Sequence, residues 1–213
     1  MLSYGYCERL SGAFWAEPWN ALTNGAFLLA AVAAFQLWRR SGGPDRPTLA
    51  LIALVFAIGI GSFLYHTMPR GWTLAADVVP IQVFAFSYFG LALTRFFGLS
   101  LRATVLGTLA FLAFALLLSG GVGSLLPQPA RGSAGYAAFL LGLIGVTGAL
   151  LRRPDGRETA RLVGSAGLAF ALSLAFRTLD GALCGGWSMG THWLWHLLNA
   201  GVLYLLLRAA ILR

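Results

Sequence analysis

The sequence predicts an all-α membrane protein with seven transmembrane helices, and its composition and its pattern of apolar segments carry that prediction. Hydrophobic residues make up 58% of the 213 positions and charged residues only 10%, with a mean hydropathy of +0.77. A soluble domain usually has about 25% charged residues, so lipid must be the solvent around much of this chain. The apolar segments are continuous rather than alternating, which favours membrane helices over a β-barrel.

Seven apolar segments have the length of roughly 20 residues that is needed to cross a bilayer. We expect these spans at residues 19–38, 48–66, 72–97, 101–119, 134–151, 160–177 and 190–208. Polar turns or glycine- and proline-rich loops separate them, and the longest loop covers residues 120–132. Residues 1–18 have no continuous apolar core, so we expect the first span to be uncleaved. The seven spans together form a single domain over residues 1–213.

The positions of the arginines predict the orientation of the chain. All 15 basic residues are arginine, and with the N-terminus outside only four of them lie on the outer side: Arg9, Arg70, Arg131 and Arg177. The excess on the inner side predicts an outer N-terminus and a cytoplasmic C-terminus, in what we expect to be a bacterial cytoplasmic membrane. The arginines stand singly or in pairs between apolar segments, which argues against nucleic-acid binding.

The three histidines of the chain are expected to meet near the outer face. His192 and His196 are four residues apart, so both imidazoles lie on one face of a helix and can reach one ion. His66 ends the second span on the same side of the membrane. Three histidines with an open position for water are typical of catalytic zinc. The alternative is a set of hydrogen-bonded membrane histidines without a metal.

Two polar residues near this cluster are candidates for catalysis. Ser62 precedes His66 by one helical turn, and its hydroxyl either serves the site or bonds to its own helix backbone. Asp77 is a lone carboxylate in an apolar segment and therefore needs a partner. It fits a hydrogen-bond partner of a histidine, a general base or a simple helix cap, and the sequence leaves these roles open.

Three further sets of residues carry structural predictions. Glu17 lies on one face of the first helix with two asparagines, which indicates helix capping and hydrogen bonds between helices. Arg177 and Asp180 are three residues apart, which predicts an ion pair. The two cysteines, Cys7 and Cys184, both fall on the outer side, where a disulfide is favoured over two free thiols.

Taken in order, these residues resemble the alkaline ceramidase family, part of a wider group of seven-span hydrolases that also includes adiponectin-receptor-like proteins. The resemblance covers nearly the whole chain. It rests on Cys7-Glu8, Glu17-Pro18-Trp19-Asn20 to Asn24, Gly61 to His66, Asp77, Asp180 to Cys184, and His192 to His196. It implies a zinc ion bound by the three histidines, Ser62 and Asp77 beside it, and a disulfide.

The resemblance also implies an activity and a second metal. The activity is hydrolysis of the amide bond of a ceramide-like membrane lipid, through a zinc-activated water, to a fatty acid and a sphingoid base. The second metal is calcium, and Glu8 and Glu17 match positions of its site. Gly5 and Leu10 stand where an aspartate and an asparagine are expected, so we expect an incomplete calcium site.

Two other functions fit the same pattern. In a receptor-like or structural seven-span protein, zinc would only hold helices together, with no turnover. A transporter or proton pathway would need charged residues within its spans, and these are nearly absent.

Overall fold

The computed structural model describes residues 5–42, 45–127 and 131–213, and helices dominate these ranges. Seven helical segments are long and apolar enough to cross a membrane, as the sequence predicts. The first is divided at Asn24 into two helices, and the fourth ends in a turn of π-helix at Leu118–Val122 and a short helix. The helices are α1 (Pro18–Thr23), α2 (Gly25–Arg40), α3 (Arg46–Thr67), α4 (Gly71–Arg95), α5 (Leu101–Leu117), α6 (Gly123–Leu125), α7 (Ala134–Leu151), α8 (Arg157–Leu183) and α9 (His192–Leu212).

The predicted boundaries are close to the observed ones, except at the C-terminal ends of three spans: the fourth span, the sixth span, which continues from residue 177 to Leu183, and the seventh, which continues from residue 208 to Leu212. The segment predicted as a loop from residue 120 continues as helix to Leu125, and residues 128–130 of that loop lie outside the described residues. In the turn predicted between the first two spans, Gly43 and Pro44 also lie outside them. The boundary between the third and fourth spans falls at Gly98. The φ of Gly98 is +69°, which lies in the left-handed region and does not allow the helix to continue.

The long helices form a closed ring in chain order. Each span packs against the next, and the last helix, α9, returns to pack against α2 as well as α8. Helix α9 also contacts α3 and α4 across the ring. Because the connections are short, neighbouring helices run antiparallel, so the end of α3 meets the beginnings of α2, α4 and α9.

Gly61 brings α3 and α4 into backbone contact. A Cβ atom at this position would lie 2.0 Å from the carbonyl oxygen of Ala76 and 3.1 Å from the backbone nitrogen of Asp77. Only glycine permits so close an approach. At Gly59 the same atom would lie 3.0 Å from Cβ of Phe27 on α2. These glycines therefore serve helix packing, and the contact at Gly61 brings Ser62 near Asp77.

The outer surface of the ring is apolar, as a bilayer requires. Large side chains such as Leu29, Leu106 and Leu168 expose 67–77% of their surface. At the end where α3 meets α9, four tryptophans are about half exposed: Trp15, Trp19, Trp72 and Trp187. Tryptophan is enriched where a membrane meets water, and four exposed tryptophans at one end of a bundle are typical of such an interface.

Candidate metal centre

The three histidines of the chain form one buried cluster. His66 comes from the last turn of α3, and His192 and His196 come from the first two turns of α9; each is at most 2% exposed. One ring nitrogen of each lies within 4.8 Å of the others. The centroids of their rings are 4.7–5.2 Å apart. The sequence prediction that these residues meet is therefore correct.

Each of the three rings has a buried nitrogen without a hydrogen-bond partner. These nitrogens are Nε2 of His66, Nδ1 of His192 and Nε2 of His196, all buried. A buried polar atom without a hydrogen bond costs free energy, and three that converge need a common partner. Three neutral imidazole nitrogens are a suitable ligand set for a transition-metal ion, so the residues fit a metal.

Glu17 and Thr23 orient two of these rings. Nδ1 of His66 lies 2.5 Å from Oε2 of Glu17, and Nδ1 of His196 lies 3.0 Å from Oγ1 of Thr23. The Thr23 hydroxyl donates its proton to the carbonyl oxygen of Trp19, so it accepts one from His196. When each Nδ1 carries the proton, Nε2 presents a lone pair to the cluster, as in metal sites where a partner fixes the histidine tautomer.

Glu17 stands at the N-cap position of α1, but its side chain makes no capping hydrogen bond there, so the capping expected for it is not observed. Its side chain is buried, and it also contacts Nε of Arg9 and accepts a hydrogen bond from Nδ2 of Asn20 at 2.9 Å. Burial opposes ionisation, but the bonds from His66, Asn20 and Arg9 hold the pKa of Glu17 below its ordinary value. The sequence grouped Glu17 with Asn20 as helix-capping and interhelical residues and did not pair it with His66.

Ser62 and Asp77 lie next to the cluster and do not belong to it. The close contact of Gly61 with the backbone of Ala76 and Asp77 brings Ser62 and Asp77 to the same level of α3 and α4, while the group of side chains at metal-ligand distance contains the histidines alone among the described residues. Ser62 is buried and Asp77 is partly buried. A carboxylate and a hydroxyl therefore flank the candidate metal on the side of α3 and α4.

The N-terminal segment covers the cluster from the other side. The Tyr6 ring stacks on His192, with centroids 3.7 Å apart and planes 21° apart. The next residue, Cys7, forms a disulfide with Cys184 across 177 positions of the chain. The predicted pairing of the cysteines is therefore what the structure contains. Tyr6 was not among the predicted site residues, because nothing in its sequence context indicates contact with α9.

Asp180 connects the N-terminal segment to α9, the helix that carries His192 and His196. Its Oδ1 accepts hydrogen bonds from the backbone nitrogens of Thr191 at 2.6 Å and His192 at 2.9 Å, and its Oδ2 accepts one from Cys7 at 3.0 Å. A carboxylate at this position satisfies backbone N–H groups at the start of α9 and favours the positive end of the helix dipole. Asp180 therefore fixes the start of the metal-binding helix.

The predicted ion pair between Arg177 and Asp180 is wrong. The two carboxylate oxygens of Asp180 bind backbone N–H groups, which a short spacing in sequence does not reveal. The Arg177 guanidinium instead lies over the rings of Tyr136 and Trp195, at 5.1 and 5.4 Å, and donates a hydrogen bond to Ser133.

The residues expected at a calcium site do not fit calcium. Both oxygens of Glu8 accept hydrogen bonds from the start of α1, from the backbone nitrogens of Trp19 at 2.7 Å and Asn20 at 2.9 Å. Calcium requires six to eight oxygen ligands. Gly5 has a φ of +96°, which disfavours the aspartate expected there, and Leu10 is 82% exposed. The oxygens of Glu17 are likewise engaged, by Arg9, Asn20 and His66.

An apolar cavity lies inside the bundle, close to the histidine cluster. Its volume is about 90 Å³, and the residues that line it include Phe27, Phe84, Phe139, Trp195 and Leu206. The lining residues Trp195 and Leu206 on α9 are eleven positions apart, so the cavity extends over roughly 16 Å along the helix at 1.5 Å per residue. The Phe27 ring lies 6.3 Å from that of His196. The cavity therefore has an apolar lining and lies one side chain away from the histidine cluster.

One comparison with known proteins identifies the family. A family model described as Ceramidase matches residues 4–212, which is essentially the whole chain and includes the histidine cluster, Asp77 and both cysteines. No curated protein matches this chain. The ordered motifs and the family match point to the same assignment, and the chain belongs to the ceramidase family.

Proposed function

We propose that this protein is a zinc-dependent integral-membrane amidohydrolase, which cleaves the amide bond of a ceramide-like lipid to a fatty acid and a sphingoid base. The observation that carries the proposal is the set of three buried, converging ring nitrogens without partners. Three histidines with an open position form the ligand set of catalytic zinc. Membership of the ceramidase family supports a lipid amide as the substrate.

His66, His192 and His196 would hold the zinc. When bound, zinc supplies a Lewis acid, which polarises a carbonyl and lowers the pKa of water to about 7. The Asp77 carboxylate would take a proton from the attacking water and deliver it to the leaving amine. Ser62 would donate a hydrogen bond to the carbonyl oxygen as negative charge develops on it.

The role of Asp77 as a general base is supported by the partners that the histidines already have. Glu17 and Thr23 bind Nδ1 of His66 and of His196, so neither ring needs Asp77 to orient it. Asp77 lies instead where α4 contacts α3 at Gly61, and its carboxylate would remain available for proton transfer.

The position of the site suggests how the lipid is held. The cavity below the histidines is lined almost entirely by apolar side chains and would take the acyl chain, which gains free energy by burial there as it does in the bilayer. The exposed tryptophans at this end of the bundle support a position of the histidines near the depth of the lipid headgroups, which is also the depth of an amide linkage in a lipid.

The proposal is tested with purified protein in lipid vesicles and a panel of amide lipids, by measuring the fatty acid that is released. We expect release from ceramide-like substrates and none from ester lipids of the same chain length. If zinc-loaded protein releases no fatty acid from any amide lipid, the proposal fails and a zinc that only holds helices together becomes the better account.

We also propose that the site faces the outer side of the membrane, with the C-terminus in the cytoplasm. The support is the arginine asymmetry, because only four of 15 arginines lie at the histidine end. A single cysteine introduced as Leu10→Cys in intact cells should react with a membrane-impermeant maleimide, whereas Arg213→Cys should react only after permeabilisation. The reverse pattern contradicts the orientation.

A further inference from the structure

We propose that the guanidinium of Arg9 serves as the fixed cation of the N-terminal segment, in place of the calcium ion that the family resemblance implies. In this role Arg9 is a positioning residue: it holds Glu17 against His66 and thereby stabilises the zinc site without any need for calcium. The inference rests on the proposed zinc site and concerns a residue that the sequence did not single out.

The contacts of Arg9 are those of a structural cation. The residue is only 3% exposed although it is an arginine in a segment without regular secondary structure. Its Nε contacts Oε1 of Glu17, its Nη2 donates to the carbonyl oxygen of His66, and its Nη1 donates to the carbonyl oxygen of Ser11 at 3.3 Å. One guanidinium therefore joins three oxygens from three parts of the chain.

These oxygens are the kind of ligand that calcium binds. Carboxylate and backbone carbonyl oxygens are its usual ligands in proteins, and here a guanidinium occupies the space between them. Arginine suits the position because its planar group is always charged and presents several donors in fixed directions. A divalent ion beside Arg9 would be repelled by it and would find Oε1 of Glu17 already bound.

The influence of Arg9 on the metal centre passes through one carboxylate. Oε1 of Glu17 contacts Arg9, and Oε2 contacts Nδ1 of His66. The same guanidinium binds the carbonyl oxygen of His66, 57 residues away in the chain. Without Arg9, Glu17 would keep a buried charge with one partner fewer, and both the His66 ring and its backbone would lose a fixed neighbour.

The first test measures calcium binding and the melting temperature of the wild-type protein. Equilibrium dialysis with radioactive calcium should find no stoichiometric binding up to 1 mM (about a hundred times the upper Kd of sensor sites). The melting temperature should not change when calcium is added. One calcium bound per chain, or a clear rise in melting temperature with calcium, would overturn the proposal.

The second test measures how fast zinc leaves the protein. In Arg9→Met we expect zinc to pass to a chromogenic chelator about 10–100-fold faster than in wild type, the usual effect of losing an outer partner of a ligand. Arg9→Lys, which keeps the charge but not the planar donors, should lie between the two. The matched control is Arg70→Met, which removes an exposed arginine at the same end of the bundle and should leave the rate unchanged.

A double-mutant cycle separates this role from a general effect on folding. If Arg9 acts through Glu17, the effect of Arg9→Met on zinc release should largely disappear in a Glu17→Gln background. Additive effects, or release from Arg9→Met at the wild-type rate, would contradict the inference. If Arg9→Met does not fold, Arg9→Lys in the same cycle and the calcium measurement decide it. A wild-type protein without zinc would instead refute the proposed function, while the calcium measurement would still test Arg9.

Discussion

His66→Ala is expected to reduce amide hydrolysis by at least about 10³-fold, because a metal ion contributes several kcal/mol to the stabilisation of developing charge. His66 supplies one of the three nitrogens without a partner, and the chain has no fourth histidine that could replace it. Zinc measured by mass spectrometry should fall from about one per chain to a small fraction of that value. The same result is expected for His192→Ala and His196→Ala.

The matched control for these variants is Leu197→Ala. Leu197 is adjacent to His196 on α9 and is 41% exposed on the surface of the bundle, so its truncation should leave zinc content and turnover close to those of wild type. If a histidine variant loses its zinc and keeps its turnover, the metal is not required for the reaction.

Asp77→Asn is expected to keep the zinc and lose turnover by about 10²–10⁴-fold, the range that general acid–base catalysis contributes. The amide has nearly the shape of the carboxylate, so the contact between α3 and α4 at Gly61 is preserved, but it cannot accept the proton from water. In this variant the zinc content should therefore stay the same while turnover falls, whereas both should fall in His66→Ala. Ser62→Ala, which removes a single neutral donor, should lose less.

The control is Asp45→Asn at the opposite end of the bundle. Asp45 pairs with Arg95, with its oxygens 2.6 and 2.8 Å from the guanidinium nitrogens, and this hydrogen bond lowers the pKa of Asp45. Its replacement should lower the melting temperature and leave turnover unchanged. If Asp77→Asn behaves in the same way as this control, Asp77 is structural and the general base lies elsewhere.

The spans and the histidine cluster are the parts of the structure that the sequence predicts well. A continuous apolar segment has few alternatives to a membrane helix, and two histidines four residues apart share a helix face by geometry alone. Once alternation of the helices places His66 at the same end, the three residues can meet. The prediction of Ser62 and Asp77 as neighbours of the cluster follows from the same topology.

The parts that the sequence does not reveal depend on contacts between distant segments. Arg9 reaches His66 across 57 positions, and Cys7 reaches Asp180 across 173. No periodic pattern marks the N-terminal segment, because it is an irregular segment that lies on the helix ends. Asp180 has an arginine three residues before it, and this local spacing suggested an ion pair where the carboxylate caps α9 instead.

The measurement that tests the central claim most directly is turnover as zinc is removed and restored. Purified wild-type protein should contain about one zinc per chain, lose fatty-acid release in proportion to the zinc withdrawn by a chelator, and regain it when zinc alone is added back. His192→Ala, treated in parallel, should neither hold zinc nor respond to it. Full turnover in protein freed of zinc would contradict the account.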